Sequence, residues 1–177
     1  MLLQDLKILL KQKLTTHFEA VELSSIIGML IEEVSGWNRT QQIIHQNTAF
    51  NQAQVDQIEK YTEQLISGKP IQYILGKAWF MGQNFIVNEN VLIPRPETEE
   101  LVEWIISYAN IKNKTLSILD IGTGSGCISI ALKMALPHCE ISALDVSKEA
   151  LKVAQLNAKN LNVSIQWMEQ NILDTVA

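Results

Sequence analysis

The sequence predicts an α/β fold in which a helical bundle and a β-hairpin connector precede an incomplete parallel sheet. Three observations predict it. Apolar residues recur at helical spacing up to about residue 69. β-branched and aromatic residues with turn glycines follow, and short apolar strands then alternate with helical patterns to the end of the chain. We therefore predict a helical domain at 1–69, a connector at 70–94 and an α/β domain at 95–177.

The predicted helical domain contains four amphipathic segments. The second ends at Gly36, because glycine readily takes the left-handed conformation that closes a helix. A third, short helix follows Asn38 and places Ile43 and Ile44 inward, and Asn51 caps the fourth. Short helices with small connections form a bundle, and this one carries no catalytic constellation. We interpret it as a recognition or lid module.

Residues 70–94 predict a β connector between the helical and α/β domains. Lys77–Phe80 and Phe85–Val87 have the composition of strands, and residues 81–84 between them predict a hairpin turn. The β-branched and aromatic residues of Ile71–Ile74 are assigned to the same β segment.

A proline-flanked arginine begins the next predicted helix. Pro96 suits the first helical turn, and Glu97 complements the positive end of the helix dipole. A well-formed helix start also explains this pattern, and composition alone favours that explanation. The functional hypothesis is that Arg95, with Pro96, Glu97 and Thr98, is held on the substrate side of a bound cofactor. The predicted buried face of the helix comprises Leu101, Trp104, Ile105 and Tyr108.

The segment Leu116–Ala131 predicts a strand, a glycine-rich turn and the start of a helix. Asp120 closes the apolar strand, and three glycines follow at spacings of two, at Gly122, Gly124 and Gly126. Glycine permits positive φ and removes the Cβ that would keep a ligand away. Unpaired amide groups at the helix N-terminus favour an anionic or hydrogen-bond-accepting ligand. We therefore expect a ligand at this turn.

The glycine spacing and the acid before it indicate the class of ligand. A dinucleotide fingerprint requires its third glycine one residue later than Gly126. Asp120 places a carboxylate beside the turn, which suits a cationic group better than a pyrophosphate. A ligand with an amine, a sulfonium and no phosphate fits this environment. The sequence therefore predicts S-adenosylmethionine.

A second acid supports a nucleoside cofactor. The next strand ends at Asp145, where a carboxylate can accept both ribose hydroxyls. After a third strand, Asn171 can bond an adenine edge while Ile172 packs on the ring, although a loop asparagine explains that position equally well. A plain βαβ unit with a tight turn is the alternative for the whole region. The predicted cofactor-binding residues are Asp120, Gly122, Thr123, Gly124, Ser125, Gly126, Asp145, Val146, Asn171 and Ile172.

Composition limits the partners of the chain. Its net charge of −5 does not favour electrostatic binding to the phosphates of nucleic acid. Cys127 and Cys139 are too few for a disulfide framework and lack metal-type spacing, so we expect a reduced cytoplasm and no metal site. The sequence has no signal-peptide pattern and no apolar run of about 18 residues. We therefore expect neither export nor a membrane span.

With these motifs the chain resembles the release factor glutamine methyltransferases, the HemK or PrmC family. The resemblance covers all 177 residues. It rests on the helical domain and on three segments, which are Gln72–Gly76, Leu92–Glu99 and Ile118–Cys127. The glycine turn alone indicates a class I methyltransferase with a Rossmann-like sheet. The Ile-Pro-Arg-Pro-Glu-Thr-Glu segment ahead of it is much more specific to this family.

The resemblance implies methyl transfer from S-adenosylmethionine to the glutamine side-chain amide in the Gly-Gly-Gln motif of peptide chain release factors. It implies that Gly122–Gly126 holds the methionine part of the cofactor and that Asp145 binds the ribose. Asn171 and Ile172 would frame the adenine, and Pro94–Thr98 would line the substrate side. The helical domain would contact the release factor.

The chain departs from the family in one respect, because the catalytic motif Asn-Pro-Pro-Tyr is absent. No two of its prolines are adjacent; they are Pro70, Pro94, Pro96 and Pro137. Three strands also cannot complete a doubly wound sheet, and they leave the last strand as an exposed hydrophobic edge. We therefore expect a C-terminally truncated, inactive chain whose parent protein is the enzyme.

Three other functions compete with this interpretation. An amino-methyltransferase of nucleic acid would share the glycine turn, but the acidic composition and the Pro-Arg-Pro segment disfavour it. A non-enzymatic protein-binding module fits the missing motif, for this chain though not for its parent. A nicotinamide oxidoreductase is disfavoured by the G-x-G-x-G spacing.

Overall fold

The computed structural model describes residues 1–112 and 115–174. Residues 113–114 and 175–177, which belong to the predicted α/β domain, lie outside those ranges. Within the described ranges, no helix combines the length and the apolar character that crossing a bilayer requires.

The chain divides into two compact units, Met1–Leu75 and Gly76–Ala177. Each unit has its own hydrophobic core. The first unit is built from helices, and the second contains the hairpin and a parallel sheet with helices. The predicted fold class, a partial Rossmann-like sheet after a helical region, is confirmed.

The helices of the first unit end and begin where local signals predict. Gly36 ends the second helix with a φ of 74°. Asn38 and Asn51 each form a capping box with a glutamine three residues later, so each accepts a backbone amide of the first turn. The helices are α1 Leu3–Leu14, α2 Ala20–Ser35, α3 Arg39–Ile44, α4 Gln52–Ile66 and α5 Ile71–Leu75.

The buried face of α3 differs from the prediction. Ile43 and Ile44, expected inward, are 69% and 70% exposed, whereas Gln42 is buried. The Gln42 Nε2 atom donates to the carbonyl oxygens of Gly28, at 3.0 Å, and Trp37, at 2.9 Å. A glutamine can occupy this interior position because both of its amide hydrogens are bonded there.

The segment Ile71–Leu75 forms helix α5 and not the predicted β segment. Its first turn is closed by bonds of 3.1 Å from the amides of Tyr73 and Ile74 to the Pro70 carbonyl. Ile71 is buried in the core of the first unit. Packing against the bundle therefore overrides the strand preference of these β-branched and aromatic residues.

The predicted hairpin is present, with a tighter turn than expected. Its strands are β1 Lys77–Phe80 and β2 Gln83–Ile86, which pair antiparallel up to a turn of two residues, Met81 and Gly82. Both turn residues have positive φ, 48° and 75°, as type I′ hairpin turns require. The Met81 amide also donates to Glu99 Oε1 at 2.6 Å, so the turn is tied to the following helix.

The remainder of the second unit is a parallel α/β arrangement. Its strands have the order β3-β4-β5, with α7 packed on the first two and α8 on the last two. Ser147 caps α8 by accepting the Ala150 amide at 3.2 Å. The elements are α6 Pro96–Lys112, β3 Ser117–Ile121, α7 Cys127–Ala135, β4 Glu140–Asp145, α8 Lys148–Asn160 and β5 Gln166–Glu169. Because the strands are parallel, their carboxyl ends meet at one edge of the sheet.

The buried face of α6 was predicted correctly for Ile105, which packs against the core of the second unit, and wrongly for the other three residues. Leu101, Trp104 and Tyr108 are exposed, and Val102 and Ala109 are buried. Apolar residues lie on most sides of this helix, so their spacing does not select a face. Packing against α7 selects it.

The sheet also exposes apolar residues on a strand for which the sequence analysis did not predict them. Leu119 and Ile121 of β3, the first strand, are about half exposed. Alternating side chains point to opposite faces of a strand, and α7 covers only one face of β3. A face of β3 is therefore exposed and apolar, and β5 lies at the edge of the described sheet, as predicted.

Candidate functional site

The glycine turn connects β3 to α7 at the carboxyl edge of the sheet. Gly122, Gly124 and Gly126 have φ values of 74°, 56° and 79°. Side chains other than hydrogen rarely adopt this region without strain. The prediction that the turn needs glycine for its backbone conformation is therefore confirmed.

The glycines differ in what surrounds them. A Cβ on Gly126 would lie 3.0 Å from Ile130 Cδ1 and 3.1 Å from Ala154 Cβ. A Cβ on Gly122 or Gly124 would meet no atom within 4 Å. Gly126 is thus required where α7 packs against α8, whereas the other two leave open space in which a ligand can approach the backbone.

This difference predicts unequal costs of substitution. Gly126→Ala should lower the free energy of unfolding by about 2–4 kcal/mol, because left-handed strain and overpacking add together. Gly122→Ala should cost only the strain, about 1–2 kcal/mol. Urea denaturation of both variants measures the difference. Equal losses would show that close packing does not constrain Gly126.

Asp145 ends β4 and bonds to two neighbouring loops. Its Oδ2 atom accepts the Gly124 amide at 2.9 Å, and its Oδ1 atom accepts the Ser147 amide at 2.9 Å. The glycine turn and the start of α8 are therefore held by one carboxylate. A carboxylate offers about four acceptor positions, so about two remain for a ligand.

The first amides of the turn, which precede the helix N-terminus, are bonded to β4. The amides of Gly122 and Thr123 donate to the Leu144 carbonyl at 2.9 and 3.0 Å. The Gly124 amide is bonded to Asp145. The amides of the turn therefore anchor it to β4. The polar groups that can bind a ligand here are the adjacent carboxylates of Asp120 and Asp145.

Asp120 lies at the carboxyl end of β3 and is partly buried. Its Oδ2 atom accepts the Thr123 hydroxyl at 2.6 Å, and Thr123 Oγ1 lies 3.2 Å from Ser129 Oγ. Burial raises the pKa of Asp120 above its usual value; bonds from Thr123 and Ser129 oppose this shift, and the charge of Asp145 adds to it. Two carboxylates that influence each other in this way favour a positively charged ligand.

The non-glycine side chains of the turn face inward. Thr123 is buried, so its hydroxyl positions Asp120 and its side chain does not line an open surface. Ser125 Oγ is buried and has no hydrogen-bond partner among the described residues. A polar group of a ligand, or a water molecule, would satisfy this hydroxyl. Burial raises the pKa of Cys127 to about 11, so the thiol is neutral and unsuited to act as a nucleophile.

The predicted adenine-side residues lie at the same edge of the sheet. Val146 follows β4, Ile172 follows β5, and both are more than half exposed. Asn171 Oδ1 accepts the Leu173 amide at 3.0 Å, and Asn171 Nδ2 donates to Asp174 Oδ1 at 3.2 Å. The amide of Asn171 therefore closes its own turn, as the loop-asparagine alternative expects.

The Pro-Arg-Pro segment begins α6 as predicted. The Thr98 amide donates to the Arg95 carbonyl at 3.0 Å, and Pro96 is the first helical residue. Arg95 and Glu97 are exposed. In the part of the chain that the structure describes, no hydrogen bond or ion pair joins this segment to the glycine turn. Hydrogen bonds thus join Asp120 and Asp145 to the turn, and the placement of Arg95 and Glu97 beside the cofactor stays a prediction.

Asn157 of α8 supports the site and was not identified from the sequence. Its Nδ2 atom donates to the carbonyl oxygens of Ser125 and Ile86 at 2.9 Å each, and its Oδ1 atom accepts the Ile86 amide at 2.6 Å. This buried amide therefore joins the hairpin to the glycine turn. A polar residue on the apolar face between Ala154 and Ala158 is the signal that could have revealed it.

An open glycine turn flanked by two carboxylates, at the carboxyl edge of a parallel sheet, is typical of a nucleoside-binding α/β domain. Among residues 1–112 and 115–174, no group of side chains is arranged to hold a metal ion. A family model described as the methyltransferase small domain matches residues 105–177, and one described as the PrmC N-terminal domain matches residues 7–76. The sheet-containing part of the chain therefore matches a methyltransferase domain model, and the helical part matches a separate N-terminal domain model.

Curated relatives show which proteins the chain resembles. A release factor glutamine methyltransferase of Flavobacterium psychrophilum is 45% identical over 99% of this chain and 62% of that protein. Another, of Enterococcus faecalis, is 44% identical over 82% of this chain and 52% of that protein. The predicted resemblance to the release factor glutamine methyltransferases is confirmed. The chain spans little more than half the length of these relatives.

Among solved structures, the ribosomal protein L11 methylase from Lactobacillus delbrueckii subsp. bulgaricus is 30% identical to this chain. It aligns with a TM-score of 0.38, over 47% of this chain and 42% of that chain.

Proposed function

We propose that this chain is the cofactor-binding part of an S-adenosylmethionine-dependent enzyme that methylates the glutamine side-chain amide in the Gly-Gly-Gln motif of peptide chain release factors. The observation that carries the proposal is the 2.9 Å bond between the Gly124 amide and Asp145 Oδ2, which joins the turn and the second acid in one site. The similarity to the PrmC N-terminal domain and to release factor glutamine methyltransferases supports the choice of substrate.

The site residues suit the parts of this cofactor. When bound, S-adenosylmethionine supplies a methyl group on a positively charged sulfur. The free acceptor positions of Asp145 suit the two ribose hydroxyls, and the open faces of Gly122 and Gly124 leave room for the methionine part. Asp120 provides negative charge for the amine or the sulfonium. Exposed Val146 provides apolar surface for the adenine.

Two further segments complete the proposed site. Ile172 packs on the adenine, and Asn171 bonds its edge if the local turn that holds its amide opens. Arg95, with Pro96, Glu97 and Thr98, lies on the substrate side. We also propose that the helical unit contacts the release factor.

The chain by itself is proposed to bind the cofactor without transferring the methyl group. The lone pair of an amide nitrogen is delocalised into the carbonyl, so the nitrogen is a poor nucleophile unless acceptors for its N–H groups orient it. The family uses the Asn-Pro-Pro-Tyr motif for this purpose, and the sequence contains no adjacent prolines. No residue of the chain is assigned that role.

A transfer assay tests the proposed activity. The product of the complete gene, incubated with methyl-labelled S-adenosylmethionine and purified release factor, should label the release factor. A release factor whose Gly-Gly-Gln glutamine is replaced by alanine should remain unlabelled, because the acceptor nitrogen is gone. The 177-residue chain should give no label in the same assay. Label on RNA alone would contradict the proposal.

The raised pKa of Asp120 predicts a pH dependence. An acid with a raised folded-state pKa binds its proton more tightly when folded, so its ionisation costs stability as the pH rises above the ordinary value of 3.8. Asp120→Asn keeps an acceptor for Thr123 and should therefore raise the melting temperature at about pH 7, with a smaller gain towards about pH 4. Thermal melts across this range measure the difference.

The affinity for the cofactor should rise with pH, whereas the contribution of Asp120 to stability falls. A cationic ligand favours the ionised form of Asp120, so calorimetric affinity should increase as the pH rises through the raised pKa. Asp120→Asn should remove this increase. The assignment of Asp120 to the cationic part of the cofactor is wrong if the variant keeps the wild-type pH profile.

We place this activity in the cytoplasm. A release factor is a cytoplasmic substrate, and the buried free thiols of Cys127 and Cys139 are compatible with a reducing compartment. The proposal needs no direct contact with nucleic acid, no membrane and no metal.

A further inference from the structure

The first unit contains a cavity of about 320 Å³ between α1, α2 and α3. Leu23, Ile27 and Gly28 of α2 are buried and form its floor. Ile43, which is exposed on α3, lies at its rim. This volume is at the lower end of the range of small-molecule sites, and it accommodates a large side chain of a partner.

Three cationic side chains line the same cavity, Lys7 and Lys11 of α1 and Arg39 of α3. The lysines are one helical turn apart and so lie on one face. Among the described residues, no carboxylate lines the cavity and no ion pair engages these three cations. The cavity lining is therefore positively charged, whereas the chain as a whole has a net charge of −5. Burial lowers the pKa of Lys7, whose ammonium would gain from an anionic partner.

Arg39 is held in position over the floor. Its Nη2 atom donates to Ser25 Oγ at 3.0 Å. Its Nε atom lies 3.7 Å from where a Cβ on Gly28 would be, so the guanidinium covers a part of α2 that has no side chain. The remaining N–H groups of a guanidinium are available as a pre-oriented set of donors to a carboxylate.

We propose that this cavity docks a segment of the protein substrate in which carboxylates flank a large apolar side chain. The apolar side chain enters over Leu23 and Ile27, and the carboxylates meet the cations at the rim. This inference rests on the proposed function, which makes a protein the substrate. RNA fits less well, because no aromatic side chain on which bases could stack lines the cavity within the described residues.

Two adjacent isoleucines provide a matched test. Ile43 and Ile44 are 69% and 70% exposed, but only Ile43 lines the cavity, so glutamate at either position should leave folding intact. Binding of the 177-residue chain to purified, fluorescently labelled release factor is measured by anisotropy. Ile43→Glu should weaken binding about tenfold or more through like-charge repulsion and a lost apolar contact, and Ile44→Glu less than about twofold.

The cations are tested by a second matched pair. Lys7→Gln combined with Lys11→Gln removes two charges from the cavity and should weaken binding about tenfold. Lys13→Gln combined with Lys60→Gln removes two exposed charges of the same unit away from the cavity. The control pair should bind nearly as the unchanged chain does, and its salt dependence should stay the same.

The outcomes separate this inference from the proposed function. Equal binding by Ile43→Glu and Ile44→Glu overturns the docking site. Competition by polyuridine that depends on Lys7 and Lys11 overturns it in favour of RNA. Absence of any binding to the release factor also overturns it. Calorimetry with S-adenosylmethionine should give unchanged affinity in every variant, and methyl transfer by the complete gene product decides the proposed function independently.

Discussion

Asp145→Ala is expected to weaken S-adenosylmethionine binding about a hundredfold or more. Two charge-assisted hydrogen bonds to the ribose are lost, each contributing about 1.5–3 kcal/mol, and about 1.4 kcal/mol corresponds to a tenfold change. The substitution also frees the amides of Gly124 and Ser147, so the turn is less well held before the cofactor arrives. Calorimetric titration of the 177-residue chain measures the loss.

Glu169→Gln is the matched control for this substitution. Glu169 is exposed and ends β5 directly beside Asp145. The control substitution therefore removes the same charge from the same edge of the sheet. Its effect should stay within about twofold, as expected for a solvent-screened charge. If Asp145→Ala bound the cofactor as tightly as this control, the assignment of the ribose to Asp145 would be wrong.

Asn157→Leu is expected to lower the free energy of unfolding of the second unit by about 3 kcal/mol or more. Leucine fills a similar volume but leaves the amide and the carbonyl of Ile86 and the carbonyl of Ser125 without partners. Each such buried group costs about 1–3 kcal/mol. Urea denaturation followed by tryptophan fluorescence reports mainly on this unit, because it contains three of the four tryptophans, Trp79, Trp104 and Trp167.

Gln155→Leu, two residues earlier on α8, serves as the comparison. Gln155 is exposed, so its replacement should change stability by less than about 0.5 kcal/mol. Cofactor affinity should fall only in Asn157→Leu, because only that residue bonds the backbone of the glycine turn. Equal stability of the two variants would show that the Asn157 bonds do not hold the hairpin and the turn together.

The elements predicted best are those specified by neighbouring residues. The capping boxes of Asn38 and Asn51 each need only a glutamine three residues away. Gly36 and the glycines of the turn were predicted because positive φ excludes other side chains locally. Such features depend on a few consecutive residues, so a single sequence contains all the information that they require.

The predictions that failed concern which face of an element is buried. The buried faces of α3 and α6 were predicted from apolar spacing. In α3, Gln42 is buried and not Ile43 and Ile44, and in α6 Trp104 is exposed. A short helix, or one with apolar residues on most sides, does not define its own inward face. The neighbouring elements do, and they follow from the packing of the whole unit.

The sequence by itself determined the order of the elements, the helix caps and the acid–glycine pattern from which the cofactor was predicted. Only the tertiary structure decided how those parts bond to each other. Gly124 and Asp145 are 21 residues apart, and Asn157 and Ile86 are 71 apart. Contacts over such separations depend on how strands and helices pack, because no local preference specifies the distance between residues so far apart in the chain.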